Sequence, residues 1–363
     1  MAAGADNTLA ADFAAAIARA LAQGAPWPGA VAVSGGGDSK ALMLLLADWA
    51  RAASRPLPVV LTVDHGLTSG SARIAQNVAQ NAKHHGLEAH KLVWKGAKPT
   101  ADIEAAARLA RYRLMGEWCD AHRIKALYVA HTLEDQAETF LIRLARGSGL
   151  DGLAAMRPRS PFPVQGFERL CVVRPLLDIE RARLRAWLES RSEDWVEDPM
   201  NGDPRFHRVR IRQAWPALAE LGLSPQRIAA AAEHLGRARD ALEEATVEFL
   251  ETACRFEADR VLVDGTRLAA ASPEIGLRAL AQILARVSGA PYRPRFERLE
   301  RLYGAIREGT FKSARTLQGC RIGRAPKIAS IFGPFTLIVV REPARRTAGR
   351  KARTAVAVRD QIS

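Results

Sequence analysis

Cysteine is scarce in this 363-residue sequence, which contains four, and no two of them form a Cys-x-x-C pair. Cysteines this scattered argue against a disulfide framework, a zinc ribbon and a cysteine-ligated iron–sulfur cluster. We expect small buried thiols instead, which are typical of a reducing compartment and predict a cytoplasmic protein. The four positions are Cys119, Cys171, Cys254 and Cys320.

Long apolar runs are missing as well. The longest, Ile328–Val340, is too short to span a bilayer and is interrupted by Gly333 and Pro334. The N-terminal segment carries Asp6 and Asp12 and lacks the basic start of a signal peptide. The sequence therefore predicts no membrane partner.

Acidic residues are outnumbered, with 39 Asp and Glu against 53 Lys and Arg, a net charge of +14. The net charge is +5 over residues 1–215, −3 over 216–290 and +12 over 291–363. Such a surplus favours a polyanionic partner, although a merely basic surface is the plainer alternative. We predict an N-terminal domain at 1–215, a helical connector at 216–290 and a small α+β basic C-terminal region at 291–363 with a disordered tail.

Short apolar runs alternate with helical patterns from residue 30 to about residue 175. This alternation predicts an α/β fold with a doubly wound parallel sheet that helices cover on both faces. The predicted strands are Ala30–Val33, Val59–Val63, Ala89–Val93, Leu127–Ala130 and Cys171–Arg174. The predicted helices are Lys40–Arg51, Ala72–His85, Ile103–Cys119 and Leu133–Ala145.

The remaining chain is predicted to be mostly helical and then basic. Ser160–Gln165 is expected to be a loop and Ile179–Ser190 an arginine-rich helix. A helix is predicted at Gln226–Arg255, in which apolar residues recur every seven positions with alanines between them. This pattern predicts a seam that packs against other helices of the same chain. A homodimeric coiled coil is the alternative. Residues 291–327 are expected to be turn-rich, and Ser330–Val340 strand-like. The seam comprises Ile228, Leu235, Leu242 and Phe249 with Ala231, Ala238 and Ala245.

A glycine-rich segment follows the first predicted strand directly and precedes a helix: Ser34-Gly35-Gly36-Gly37-Asp38-Ser39. Glycines let backbone N–H groups approach an anion closely, and the helix N-terminus adds donors and a positive dipole end. The hydroxyls of Ser34 and Ser39 would donate to phosphate oxygens, and Asp38 would hold a magnesium ion. An ordinary turn in which Asp38 or Ser39 caps the helix is the alternative.

Several further motifs occur in a fixed order, and together with the loop they resemble the bacterial tRNA(Ile)-lysidine synthases, which belong to the N-type ATP pyrophosphatases, or PP-loop proteins. The resemblance is strong over about residues 30–215. It implies an adenine nucleotide alpha hydrolase-like fold, with a catalytic domain at 1–215 and a substrate-binding role for the helical connector. The motifs are Asp64-His65-Gly66, Glu104 with Arg108 and Arg111, His131, Asp135 with Glu138, Arg146-Gly147-Ser148-Gly149, Arg174-Pro175-Leu176 and Asp198-Pro199.

The resemblance implies a ligase that uses ATP and Mg²⁺. It would join free lysine to C2 of the wobble cytidine in the CAU anticodon of tRNA(Ile), through an adenylated tRNA, with release of pyrophosphate and AMP. It places ATP on Ser34–Ser39, Asp64 and His65. Asp135 and Glu138, at the end of a parallel strand, would bind or deprotonate the lysine ammonium together with Asp38, and the three are not ranked. A pair of acids suited to a helix N-terminus is the alternative for Asp135 and Glu138.

The resemblance also suggests residues that bind lysine or tRNA. Glu104, Arg108 and Arg111 share one helical face, which would otherwise be a solvated salt-bridged face. His131 ends the fourth predicted strand. Arg205, Arg208 and Arg212 share a face of a basic segment that would contact tRNA phosphates; a solvated helix is the alternative.

Two other functions remain open on the sequence. One is another ATP-dependent tRNA-modifying enzyme built on the same loop, and the other is an RNA-binding module without enzymatic activity. The intact Ser34–Ser39 loop argues against the second. Release of AMP from ATP would separate the two classes.

Overall fold

The computed structural model describes residues 2–68, 70–96, 98, 103–197, 207–290 and 294–342, with backbone alone for residues 2–7 and 104. Contacts divide the chain into two compact units, Met1–Arg239 and Asp240–Ser363. The predicted division at 215 and 290 stays a prediction, and the predicted disordered tail lies outside the described residues. Within the described residues, no helix is both long enough and apolar enough to cross a membrane.

The first unit is an α/β layered fold. Its described strands form a sheet in the order β3-β2-β1-β4-β6-β5. The strands are β1 (Ala30–Ala32), β2 (Val59–Asp64), β3 (Ala89–Val93), β4 (Ala126–Tyr128), β5 (Arg159–Pro161) and β6 (Cys171–Val173). The helices are α1 (Ala2–Ala22), α2 (Gly37–Ala52), α3 (Ser71–His84), α4 (Ile103–Ala121), α5 (Leu133–Ala145), α6 (Leu150–Leu153), α7 (Arg181–Ser190) and α8 (His207–Glu220).

The predicted doubly wound, mostly parallel sheet is confirmed. β1 pairs in parallel with β2 and with β4, so that Val31 lies beside Val60 and Tyr128. One apolar core lies on the face that α1, α2 and α7 cover, and Phe13, Ile17 and Leu42 are buried in it. A second core includes Tyr112 and Met115 of α4. Because both faces are covered, the central strands read as continuous apolar runs.

One part of this sheet differs from the prediction. The segment expected to be a loop begins with β5, which pairs antiparallel to β6 at the edge of the sheet. Pro161 ends that strand opposite Cys171. An edge strand bonds on one side only, so it tolerates a proline that a central strand would not. The proline-rich composition therefore hid a short strand.

The second unit pairs an antiparallel sheet with helices. Its described strands run in the order β7-β8-β11-β10-β9. Their core contains Leu284 of one helix and Tyr303 of another, with Phe311 between elements. The elements are β7 (Cys254–Phe256), β8 (Arg260–Asp264), α10 (Gly265–Ala270), α11 (Pro273–Ser288), α12 (Phe296–Arg307), β9 (Arg315–Leu317), β10 (Cys320–Arg324) and β11 (Thr336–Arg341), and α9 (Pro225–Ala253) precedes them.

The prediction that residues 291–327 form a turn-rich segment is wrong for its described part. That part contains α12, β9 and β10. Leu299, Leu302, Tyr303 and Ile306 recur at helical spacing and are all buried. The density of basic residues between them obscured this amphipathic pattern.

The seam predicted on α9 is only partly correct. Ile228 is buried, but the alanines expected between the seam positions are exposed, and Ala232, Thr246 and Leu250 are buried instead. A straight α-helix has 3.6 residues per turn, so a seven-residue repeat drifts around its surface by about 20° per heptad. The exposed alanines are Ala231, Ala238 and Ala245.

Candidate active site

The loop between β1 and α2 is tied together by its own serines. The Ser34 N–H donates to Oγ of Ser39 at 3.1 Å, and the two hydroxyl oxygens lie 3.2 Å apart. Oγ of Ser39 also donates to the Gly36 carbonyl at 2.9 Å. α2 begins at Gly37, and the first N–H groups of a helix have no partner within it. This arrangement suits an anion, so we call residues 34–39 the anion loop, and phosphate binding there stays a prediction.

Gly35 is required by its backbone and by its surroundings. Its φ is +95°, and a Cβ added there would lie 2.8 Å from Cγ2 of Ile74. The Val196 N–H donates to the Gly35 carbonyl at 3.0 Å. A side chain would strain the backbone and displace α3, so only glycine fits this position.

Charged side chains from α2, α5, α7 and α8 converge beside the loop. Arg181 lies at their centre. Its Nε donates to Oδ2 of Asp38 at 2.9 Å, and its terminal nitrogens lie 3.6 Å from Oδ1 of Asp135 and 3.8 Å from Oε1 of Glu138. We call this group the acid–arginine cluster: Asp38, Asp135, Glu138, Arg181, Arg208 and Arg212.

The arginines of α8 complete the cluster. Nε of Arg212 donates to Oε1 of Glu138 at 2.7 Å, and its Nη2 donates to Oε2 at 3.3 Å. Nη1 of Arg208 lies 3.8 Å from Oδ1 of Asp135. The Glu138 side chain is fully buried, and the two arginine side chains are about one-third exposed. Because a buried carboxylate is costly without a cation, α8 is held against α5 by these pairs.

The three carboxyl groups differ in acidity. Burial raises the pKa of Asp38, and the charge of Arg181 only partly offsets it. Burial also raises the pKa of Glu138, against the hydrogen bond from Arg212. Burial acts to raise the pKa of Asp135 too, but the charges of Arg208 and Arg181 outweigh burial, and the pKa is lowered. Asp38 and Glu138 are therefore the stronger bases.

Local capping fixes the first turn of α5. The Thr132 N–H donates to Oδ2 of Asp135 at 2.9 Å, and the two residues form a capping box. Both carboxylate oxygens of Glu134 accept from the Arg181 N–H, at 3.0 and 3.1 Å. The N-terminus of α7 is thereby capped from α5, which places the Arg181 side chain over the carboxylates.

The loop and the cluster lie at the carboxyl ends of two neighbouring parallel strands. The loop follows β1, and Thr132 with α5 follows β4. The chain moves from β1 to β2 and β3 on one side, and then returns to β4 on the other. Open α/β sheets bind their ligands at such a switch point.

Comparisons with known proteins agree with this geometry. Residues 10–218 match the family described as PP-loop domain. The tRNA(Ile)-lysidine synthase of Ruegeria pomeroyi is 39% identical over 292 residues, which cover 80% of this chain and 68% of that protein. The enzyme of the same name from Methylobacterium nodulans is 41% identical over 309 residues, covering 82% and 88%. The chain belongs to the tRNA(Ile)-lysidine synthase family. It is an ATP-dependent ligase.

Among solved structures, the U34-tRNA thiolase NcsA from Methanococcus maripaludis aligns with 57% of this chain and 72% of its own. The sequence identity is 16% and the TM-score is 0.47.

In this lysidine synthase family member, the structure brings His131 and Arg108 towards the same edge of the sheet. Burial lowers the pKa of His131 to about 3, and the nearby charges of Arg174 and Arg108 act in the same direction. Its imidazole is therefore neutral, and in the described part of the chain its buried Nδ1 has no hydrogen-bond partner. Arg108 is exposed and lies over the ring of Tyr112, at 5.1 Å.

Asp64 and His65 form a separate group at the end of β2. Oδ1 of Asp64 accepts from Oγ of Ser71 at 2.6 Å and from the Gly66 N–H at 3.2 Å. Nδ1 of His65 accepts from the Leu67 N–H at 3.1 Å. These contacts fix the turn beside β1, and the predicted ATP contacts of both residues stay predictions.

The other predicted substrate residues fall in different places. Arg208 and Arg212 lie against carboxylates, although the sequence suggested tRNA phosphates as their partners. Arg111 is half-buried in α4. Arg205 and the side chain of Glu104 lie outside the described residues.

Arg181 is the site residue that sequence reasoning did not single out. It lies in the helix predicted to be arginine-rich, seven residues after Arg174 of the Arg-Pro-Leu motif. Arg181 is the first residue of α7. Acidic residues are expected at a helix N-terminus, so the presence of an arginine there was a signal that could have identified it. A cation at that position indicates a specific acidic partner.

The cluster also bears on the expected magnesium ion. Within the described residues, no group of three or more His, Cys, Asp or Glu side chains is arranged to hold a metal ion. Mg²⁺ commonly binds through one or two carboxylates together with substrate phosphates. Asp38, in the first turn of α2 beside the anion site, fits that mode.

Proposed function

We propose that this chain joins free lysine to C2 of the wobble cytidine in the CAU anticodon of tRNA(Ile), forming lysidine. The observation that carries the proposal is the preformed anion loop beside a buried group of carboxylates at one switch point of the sheet. The loop suits the phosphates of ATP, and the carboxylates would bind an ammonium group in exchange for one of their arginine partners. Family membership supplies the reaction that combines them.

In the first step, the C2 carbonyl oxygen of the cytidine attacks the α-phosphorus of ATP. The bond from that phosphorus to the β-phosphate breaks, and pyrophosphate leaves. The Ser34–Ser39 loop and the N-terminus of α2 hold the phosphates. Asp38 would help to hold Mg²⁺, whose positive charge would offset that of the phosphates.

In the second step, the lysine ε-amine attacks C2, the C2–O bond breaks, and AMP leaves. The amine has a pKa of about 10.4 in water, so it must lose a proton before it attacks. Asp38 and Glu138 have raised pKa values, which makes them better proton acceptors than Asp135, whose pKa is lowered. This difference supports Glu138 as the base and Asp135 as an ammonium ligand.

Binding of tRNA is proposed for basic residues of both units. Arg208 and Arg212 keep about one-third of their side chains exposed, so phosphates can reach them from solvent. In the second unit, several basic side chains are exposed around β9 and β10: Lys312, Arg315, Arg321, Arg324 and Lys327. We place the reaction in the cytoplasm, and a homodimer stays an untested alternative.

The direct test combines the purified protein with ATP, labelled lysine and a transcript of the minor tRNA(Ile). We expect label in the tRNA and AMP in equal amounts. Release of AMP that depends on tRNA but not on lysine would indicate another tRNA-modifying enzyme. Binding of tRNA without any AMP would indicate a binding module, and a folded protein giving either result overturns the proposal.

The assignment of the loop has its own test. Asp38→Ala and Ser39→Ala should abolish AMP formation. The affinity for tRNA should stay within about twofold of wild type, because Asp38 pairs with Arg181 while Arg208 and Arg212 pair with Asp135 and Glu138. Equal loss of both activities would contradict the assignment. Folding of each variant is checked by circular dichroism and thermal unfolding.

The tRNA surface is best tested away from the cluster. Arg321→Glu and Arg324→Glu replace exposed side chains, so folding should be retained. Each should raise the Kd for tRNA and reduce the slope of log K against log salt by about one. An unchanged slope in both variants would remove this surface from the proposal.

A further inference from the structure

Behind the anion loop lies a segment that the reaction does not use. We call Glu193–Glu197, which follows α7, the strap. The Val196 N–H donates to the Gly35 carbonyl, and the Trp195 ring lies 3.4 Å from where a Cβ of Gly37 would be. The strap therefore contacts two of the three glycines of the loop.

The strap is anchored by a buried lysine. Nζ of Lys40 lies 2.7 Å from Oε2 of Glu193 and donates to the Asp194 carbonyl at 2.5 Å. The Lys40 and Glu193 side chains are 10% and 15% exposed. Nε2 of His85 lies 2.9 Å from Oε1 of Glu193. The carboxylate is thus held from α2 and approached by the residue that follows α3.

The contact with Lys40 favours the carboxylate form of Glu193. Burial acts to raise the pKa of Glu193, but the hydrogen bond and the charge of Lys40 outweigh burial, and the pKa is lowered. At its other end the strap is tied by Glu197, which accepts from the Trp195 indole at 2.9 Å and lies 3.1 Å from Arg185. Because the strap is held at both ends, it limits how far Gly35 and Gly37, which it contacts, can move.

We propose that Lys40 is a positioning residue: through Glu193 and the Asp194 carbonyl it holds the strap against Gly35 and Gly37, and so keeps the loop in the conformation that binds the phosphates of ATP. This inference rests on the proposed binding of ATP by the Ser34–Ser39 loop. Lys40 follows Ser39 directly, but its Nζ contacts Glu193 and the Asp194 carbonyl. It acts through the strap and does not contact the nucleotide.

The test compares wild type with Lys40→Met and Trp195→Ala. In both, the Kd for ATP should rise about tenfold, which corresponds to about 1.4 kcal/mol. The KM for ATP should rise with it, while the KM for lysine stays within twofold. Lys40→Met leaves the buried Glu193 carboxylate without its lysine, which could impair folding. The double variant Lys40→Met/Glu193→Gln removes that charge as well and should fold, although the Lys40–Glu193 pair that anchors the strap is still absent.

Hydrogen exchange of the loop amides without ATP provides a second readout. Residues 35–39 should exchange faster in every strap variant. Arg237→Met is the matched control, because Arg237 forms an exposed 2.9 Å pair with Glu233 on α9, and it should change neither readout. Folded strap variants with wild-type exchange in the loop and wild-type affinity for ATP would overturn the inference. If the wild type does not bind ATP but the loop exchanges faster in the variants, the proposed function is refuted, while the role of the strap in holding the loop is supported.

Discussion

Replacing Arg181 by methionine removes the cation that touches all three carboxylates of the acid–arginine cluster. Its side chain is 18% exposed, and the side chains of Asp38, Asp135 and Glu138 are 25%, 9% and 0% exposed. Removing one partner of a buried ion pair commonly costs about 3–5 kcal/mol. Because Arg208 and Arg212 still face two of the carboxylates, we take the lower end, about 3 kcal/mol.

The chain supplies a matched control two residues further along the same helix. Arg183 forms a 2.8 Å pair with Asp12, but these side chains are 38% and 56% exposed. An exposed pair contributes about 0.2–1 kcal/mol. Arg183→Met should therefore lower the stability by less than about 1 kcal/mol, although its ion pair is 0.1 Å shorter than that of Arg181 with Asp38.

The assay is thermal unfolding of both variants, repeated between pH 4 and pH 8. About 3 kcal/mol corresponds to a fall of roughly 6–12 °C in Tm for a unit of this size. Arg181 lowers the pKa of all three carboxyl groups, so each pKa rises when it is removed, from a raised value for Asp38 and Glu138 and from a lowered one for Asp135. The loss of stability is therefore largest at neutral pH and shrinks as the carboxyl groups become protonated at low pH. Equal small shifts for both variants, or a loss that does not change with pH, would refute the reasoning.

Two further predictions concern single residues of the first unit. Gly35→Ala should lower the free energy of unfolding by about 2–3 kcal/mol, because a positive φ is combined with a clash against Ile74. Gly147→Ala should lower it by about 1 kcal/mol, because Gly147 has φ +69° but open space around it. Denaturant unfolding measures both, and equal losses would contradict the role of the clash. Burial raises the pKa of Cys119 to about 12, so its thiol should resist iodoacetamide at pH 8 in the native protein. It should react once the protein is unfolded in guanidinium. Mass spectrometry measures the labelling, and rapid labelling of Cys119 in the native protein would contradict this.

Much of the first unit could be predicted because its signals are local. An apolar run such as Val59–Val63 and a glycine-rich turn such as Ser34–Ser39 each specify their own conformation. The capping box of Thr132 and Asp135 spans three residues and was equally accessible. Such features depend on near neighbours in the sequence, which is why their positions agree with the structure.

The centre of the site depends on distant residues, and the sequence did not reveal it. Arg181 pairs with carboxylates on α2 and α5. Lys40 pairs with Glu193, which is 153 positions further along the sequence. Arg212 shows the same limit, because its basic segment suggested phosphates while folding placed it on Glu138. A charged residue does not indicate its partner until the topology is known.

The wide spacing of the cluster has a consequence for synthesis of the chain. Asp38 and Arg181 are separated by 143 positions. At about 5–20 residues per second, Asp38 is made roughly 7–30 s before Arg181. During that interval the nascent chain carries the glycine-rich turn without the guanidinium that organises the acids beside it. Ligation chemistry therefore has to wait for translation of α7 and α8, and a chain truncated before them should be catalytically silent.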